Sequence, residues 1–167
     1  MNSEQMNAAL GKPYESPAVQ ALMKELGLTK VPKPKKDDPD VYLAAKSMGI
    51  ELMFVDSDYL ERKPVARYGN APMICAGATL YTGNQSGDPS MRRYGGDLPA
   101  GATFDDSLET LIAKLGPPTR VFEDDDVVVT RVWTRGTCQV GFNYDDAGTL
   151  QYVALSWDAY MKLLSEE

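Results

Sequence analysis

The stretch Phe104–Pro118, FDDSLETLIAKLGPP, decides how the rest of the chain is read. Leu108, Leu111, Ile112 and Leu115 recur at i, i+3, i+4 and i+7, which sets one apolar stripe on a short helix. Asp105 or Asp106 is placed to cap the free N–H groups at its start, and Asp106 with Glu109 fits a capping box. Gly116 supplies a left-handed residue after the last turn, and Pro117 forbids continuation. Strand-like runs follow, so the helix is expected to lie across a small antiparallel sheet.

Working outward, the same plan occurs earlier. Ser16-Pro17 opens a helix, with Ser at the N-cap and Pro at the first helical position, and Gly27 ends it. Its stripe of Val19, Leu22, Met23 and Leu26 matches the later helix at a constant offset of 89 residues. After each helix comes a polar connection, Lys33–Asp40 and then Glu123–Asp126. Next come a β-rich run (Val41–Ala45; Val127–Trp133), a turn (Ser47–Gly49; Thr134–Gly136) and a second strand (Ile50–Phe54; Thr137–Phe142). Met73–Tyr81 and Leu150–Trp157 read as the third strands, with Gly77 marking a bulge or a close approach. Asp145-Asp146-Ala147-Gly148 is a hairpin connection, with Gly where positive φ is wanted.

The expected fold is therefore α+β: two tandem units, each a helix packed on a small antiparallel sheet of three to four strands. Residues 1–13 are read as a frayed N-terminus, 14–83 as the first unit and 84–97 as a connecting loop. Residues 98–167 form the second unit, closed by a short helix from Asp158. Two unrelated helix-hairpin segments remain the alternative.

Composition excludes more chemistry than it suggests. Histidine is absent, which removes Ser-His-Asp and Cys-His nucleophile systems and the usual mid-pH proton shuttle. Zinc sites would need more cysteine than Cys75 and Cys138, each of which sits in an apolar run and reads as a reduced core thiol. Gly95-Gly96 and Gly101 lack the frame of a phosphate-binding loop, so no nucleotide or other cofactor is expected. The net charge of −7 argues against direct nucleic-acid binding. That excess lies wholly in the second half: residues 1–83 carry 10 basic and 10 acidic side chains, residues 84–167 carry 7 and 14. The first residues have no basic region followed by an apolar one, and no run is long enough to span a bilayer. The expected location is cytoplasmic, with no membrane partner.

Asp124-Asp125-Asp126 is the densest acidic cluster. Adjacent residues of an extended chain point to opposite faces, and no calcium-loop spacing is present, so it reads as a solvated turn or as an acidic patch for a partner. Asp145 and Asp146 sit at a hairpin tip that hairpin topology places near that cluster. The loop Thr82–Thr103 is rich in Gly and Pro and carries Arg92 and Tyr94; it reads as a plain connector or as a binding element. The candidate partner-binding set is Asp124, Asp125, Asp126, Asp145, Asp146, Arg92 and Tyr94.

Several motifs together resemble a known type of domain: Gly96–Pro99 before the helix, the helix itself, Trp133 in the middle strand, and VGFNYDDAGTLQYVAL at Val140–Leu155. The plan resembles SmpA/OmlA-type domains, the tandem repeats of β-lactamase inhibitory proteins, and two-repeat immunity proteins encoded beside bacterial toxins. That resemblance implies a non-enzymatic binding protein. The expected function is an immunity protein that covers the active site of a cognate toxin, a polymorphic or type VI secreted effector with a basic site. A structural or assembly module of the SmpA/OmlA kind is the alternative.

Overall fold

A computed structural model describes residues 2–85, 88–124 and 127–166. Helix α1 spans Ser3–Ala9 and α2 spans Pro17–Glu25. A meander follows, of β1 (Asp40–Ala45), β2 (Ile50–Asp56) and β3 (Met73–Tyr81), with the one-turn helix α3 (Ser57–Leu60) between the last two. After a long connection come α4 (Leu108–Leu115), β4 (Arg120–Asp124), β5 (Val127–Arg135), β6 (Cys138–Tyr144), β7 (Leu150–Trp157) and α5 (Asp158–Ser165).

The strands form one antiparallel sheet in the order β1-β2-β3-β7-β6-β5-β4. This corrects the expectation of two helix-on-small-sheet units. The two meanders fuse where β3 pairs β7 over Gly77↔Ser156 through Tyr81↔Tyr152, so neither half has a sheet of its own. The helices are not separate caps either, because Leu22 of α2 and Leu111 of α4 belong to the same core cluster. The cause is visible in the composition of the joining strands. Met73–Tyr81 and Leu150–Trp157 are apolar on nearly every residue, which suits central strands flanked on both sides better than edges.

One face of the sheet carries that core. Ile50, Leu52 and Phe54 of β2 alternate onto it, as do Cys138, Val140 and Phe142 of β6, beneath side chains from α1, α2 and α4. Trp133 packs edge-on against Phe142, with ring centroids 5.6 Å apart, and its indole N–H donates to the Gly116 carbonyl at 2.8 Å. That bond fixes the end of α4 on β5. On the other face a smaller cluster of Val55, Ala76 and Tyr160 seats α5 against one end of the sheet. The register slips between Met53 and Phe54 opposite Ala76, the bulge that Gly77 signalled.

The caps differ in one detail from expectation. Ser16 accepts from the Val19 N–H as read, but α4 is capped by Ser107, which accepts from the Thr110 N–H at 3.1 Å. Asp106 instead accepts from the Thr103 N–H and pairs with Lys114 at 2.8 Å, closing the turn before the helix. Ile112 is exposed, so the α4 stripe is narrower than its spacing suggested.

The frayed N-terminus is also corrected. Asn2 and Gln5 form a reciprocal capping box, and Met6 and Ala9 are buried on one side of α1. Beyond it the chain bonds to β3 on both sides of Cys75: Gly11 N–H donates to the Cys75 carbonyl at 2.8 Å, and Cys75 N–H to the Lys12 carbonyl at 2.9 Å. Both cysteines are free and buried, as expected. Among the described residues no helix is long and apolar enough to cross a membrane.

Candidate functional site

The strand register sets the geometry of one end of the sheet. Asp124 pairs Val127, Thr130 pairs Asn143, and Tyr144 pairs Leu150, so the β4–β5 and β6–β7 turns leave the sheet at the same end. They are two strand spacings apart, about 10 Å. Asp145 and Asp146 are both exposed in the second of these turns. Asp145 is committed to it: its carboxylate accepts from the Thr149 N–H at 2.8 Å and the Gln151 amide at 3.1 Å. The backbone of Asp124 ends β4, while Asp125 and Asp126 lie outside the described residues.

Arg92 and Tyr94 belong elsewhere on that end. The Arg92 N–H donates to the Lys46 carbonyl at 2.9 Å and the Tyr94 N–H to the Tyr81 carbonyl at 2.9 Å, which lays this part of the connection over the β1–β2 turn. That turn is three strand spacings from the Asp145 turn, about 14 Å. Arg92 is exposed, but Tyr94 is only 4% exposed and stacks edge-on against Phe104. Met91, Leu98 and Ala102 are buried with it. The connection is a strap that completes the core rather than a loose linker. Its Arg93 lies 5.2 Å from the Phe104 ring centroid and pairs with Asp105 at 3.3 Å, and Lys46 of the β1–β2 turn pairs with its Asp88 at 2.7 Å. That lysine and the Ser90 hydroxyl hold the Asp88 carboxyl down to about 2.

Between the Asp145 turn and the start of α4 lies a cleft of about 300 Å³, lined by Asp106, Ser107, Arg131, Tyr144, Asp145 and Asp146. Arg131 sits 5.7 Å from the Tyr144 ring centroid. The Tyr144 hydroxyl is shielded from solvent and has no hydrogen-bond partner among the described residues; burial pushes its pKa up. Of the three carboxylates in this lining, Asp106 already pairs with Lys114 and Asp145 is held within its own turn, while Asp146 is exposed beside the cleft. Of this lining, sequence reasoning singled out Asp145 and Asp146 as candidates and did not single out Asp106, Arg131 and Tyr144. Each faces the cleft only through the pairing of β5 with β6 and the placement of α4, for which spacing along the chain carries no signal. Among the described residues no group of three or more His, Cys, Asp or Glu is placed to hold a metal.

The second feature is the sheet face opposite the main core, which α5 covers only at one end. Tyr42 is 56% exposed on it. Tyr81 and Tyr152 stand opposite each other on β3 and β7, with ring centroids 6.1 Å apart. The Tyr81 hydroxyl donates to Glu51 at 3.2 Å, and burial, with that carboxylate, pushes its pKa to about 12. Asn143 donates to Thr130 at 2.9 Å farther across. These groups make a half-open tyrosine and amide surface, with a pocket of about 200 Å³ lined by Tyr42, Met53, Tyr160 and Met161 where α5 meets the sheet.

Fold and site together define an α+β chain on one antiparallel sheet, with a packed helical face, a half-open tyrosine face, and Asp145 and Asp146 exposed at one strand end. No family model and no curated protein matches the chain. Among solved structures it is similar to the crystal structure of a DUF4309 family protein (YjgB) from Bacillus subtilis, at 14% identity. That likeness covers 83% of this chain and 76% of the other, with a TM-score of 0.41. Identity and superposition at this level assign neither a family nor an activity.

Proposed function

We propose that the chain is a binding protein, an immunity protein that neutralises a bacterial toxin in the cytoplasm by holding its acidic rim against the toxin's basic active site. The observation that supports this reading is the strand register, which sends the Asp124 turn and the Asp145–Asp146 turn out of the same end of the sheet. Negative potential gathered on one rim accelerates encounter with a basic partner and excludes an acidic one. The cleft beside Asp146 adds a place for a lysine or arginine side chain of that partner.

The test is co-expression with the product of the neighbouring reading frame, followed by association kinetics on the purified pair. Reversing Asp125, Asp126 and Asp146 to lysine leaves the Asp145 turn bonds in place. It is expected to slow association by about tenfold or more at low salt, a loss that shrinks as salt rises. Growth that the chain fails to rescue, or an association rate indifferent to the reversal, removes the reading.

The half-open tyrosine face favours a second reading, an assembly module of the SmpA/OmlA kind that docks through Tyr42, Tyr81 and Tyr152. Binding of that kind depends on Tyr42→Ala and hardly on salt.

A further inference from the structure

The two edges of a sheet each present a row of backbone N–H and C=O groups without strand partners. Here the edges are β1 and β4, and they are not alike. β1 reads DVYLAA, with a single charge at its first residue, and the Asp40 carboxylate there accepts from the Tyr160 hydroxyl at 3.4 Å. β4 reads RVFED, a cation at one end, two anions at the other and an apolar pair between them. Val121 is 46% exposed and Phe122 37%, although the Arg120 guanidinium lies 4.9 Å from the Phe122 ring centroid. Among the described residues no strand lies beyond β4.

Edges are commonly guarded by a charge in mid-strand, by Pro, or by a bulge that turns the edge away. β4 has its charges at the ends and no Pro. The slip opposite Phe122 and Glu123 skips Val129, so the extra residue falls on β5 and β4 keeps an unbroken alternation. Val121 pairs Arg131 and so lies on the side of Trp133 and α4, where Ile112 is exposed as well.

We propose that β4 pairs antiparallel with β4 of a second copy of this chain, joining the two sheets edge to edge. A two-fold axis normal to the sheet keeps equivalent faces on one side, so residues that stand opposite must share a face. Centred on Phe122, this pairing sets Phe122 against its own copy, Val121 opposite Glu123, and Arg120 opposite Asp124 at both ends. Centring on Glu123 sets two glutamates opposite each other, which repels. Centring on Val121 leaves Asp124 opposite no cation of β4. Only the Phe122 register pairs unlike charges at both ends around an aromatic contact.

The experiment is sedimentation of the full chain alone, with no toxin present, so its outcome is independent of the proposed immunity role. At a loading of about 100 µM, where a micromolar contact is mostly associated, the chain is expected to run as a dimer. Arg120→Asp sets two aspartates opposite each other and is expected to weaken the dimer about tenfold or more. Arg120→Asp combined with Asp124→Arg restores the unlike pairs and is expected to recover it, which a misfolded variant would not do. A monomer at every concentration, a dimer indifferent to Arg120→Asp, or a double variant that stays monomeric each overturns the proposal.

Discussion

At the scale of single residues, Gly49 shows how a turn and a strap constrain each other. Its φ is +67°, and a Cβ placed there would lie 2.2 Å from the Arg92 carbonyl oxygen and 2.6 Å from the Tyr94 nitrogen. Gly27, at φ +65°, has nothing within 4 Å of the same position. Gly27→Ala is expected to cost about 1 kcal/mol, the ordinary penalty of a left-handed alanine. Gly49→Ala adds a backbone collision and is expected to cost roughly 3 kcal/mol or more. Urea midpoints of the two variants separate the terms. Equal losses would mean that the strap does not press on the turn. The sequence showed Gly49 at a turn and Tyr94 in a Gly- and Pro-rich loop, but nothing local shows that these two segments touch.

Among the elements, those with a local signal were legible and those formed by long-range pairing were not. Ser16-Pro17 announced α2, and the alternation of Cys138, Val140 and Phe142 announced β6, because caps and two-residue periods are written in adjacent residues. The end of β4, Glu123-Asp124, was read as part of a polar connection: three of the five residues of RVFED are charged, and its pairing with β5 is what makes it a strand. That the β4–β5 and β6–β7 turns share one end of the sheet was legible through hairpin topology, whereas Arg131 and Tyr144 reach the cleft through sheet register and Asp106 through the seating of α4. The miss at α1 is different, since Asn2, Gln5, Met6 and Ala9 did carry a capping box and helical spacing. Position at the chain terminus outweighed that signal. Met6→Ala gives the element its test. A frayed segment would lose nothing measurable, but a fully buried methionine is expected to cost about 2–4 kcal/mol, read from the urea midpoint.

For the molecule as a whole, the absence of histidine fixes the shape of its stability against pH. No side chain with an ordinary pKa between the carboxylates and the thiols is present, so stability is expected to be nearly flat between pH 6 and about 8.5. Above that range partly and fully buried thiols and phenols supply the change. Burial pushes the Cys138 thiol up to about 11 and the Cys75 thiol to about 12, from a usual 9.0. The Tyr81 and Tyr94 phenols rise to about 12 from 10.0, again mainly through burial, helped by Glu51 and Asp97 respectively. The unfolded chain sheds these protons at the ordinary values while the folded chain keeps them, so rising pH favours the unfolded state. The contribution is complete below about pH 9 and falls away through the folded values. Urea midpoints from pH 6 to 11 are expected to hold level and then drop above pH 9. Cys75→Ala is expected to make that drop shallower, since it deletes one of the two thiol protons that the unfolded chain releases first. A midpoint that stays level to pH 11 would mean these groups ionise as freely in the fold as outside it. A single continuous core predicts one cooperative transition across the whole range, because Leu22 and Leu111 unfold together with the strands between them.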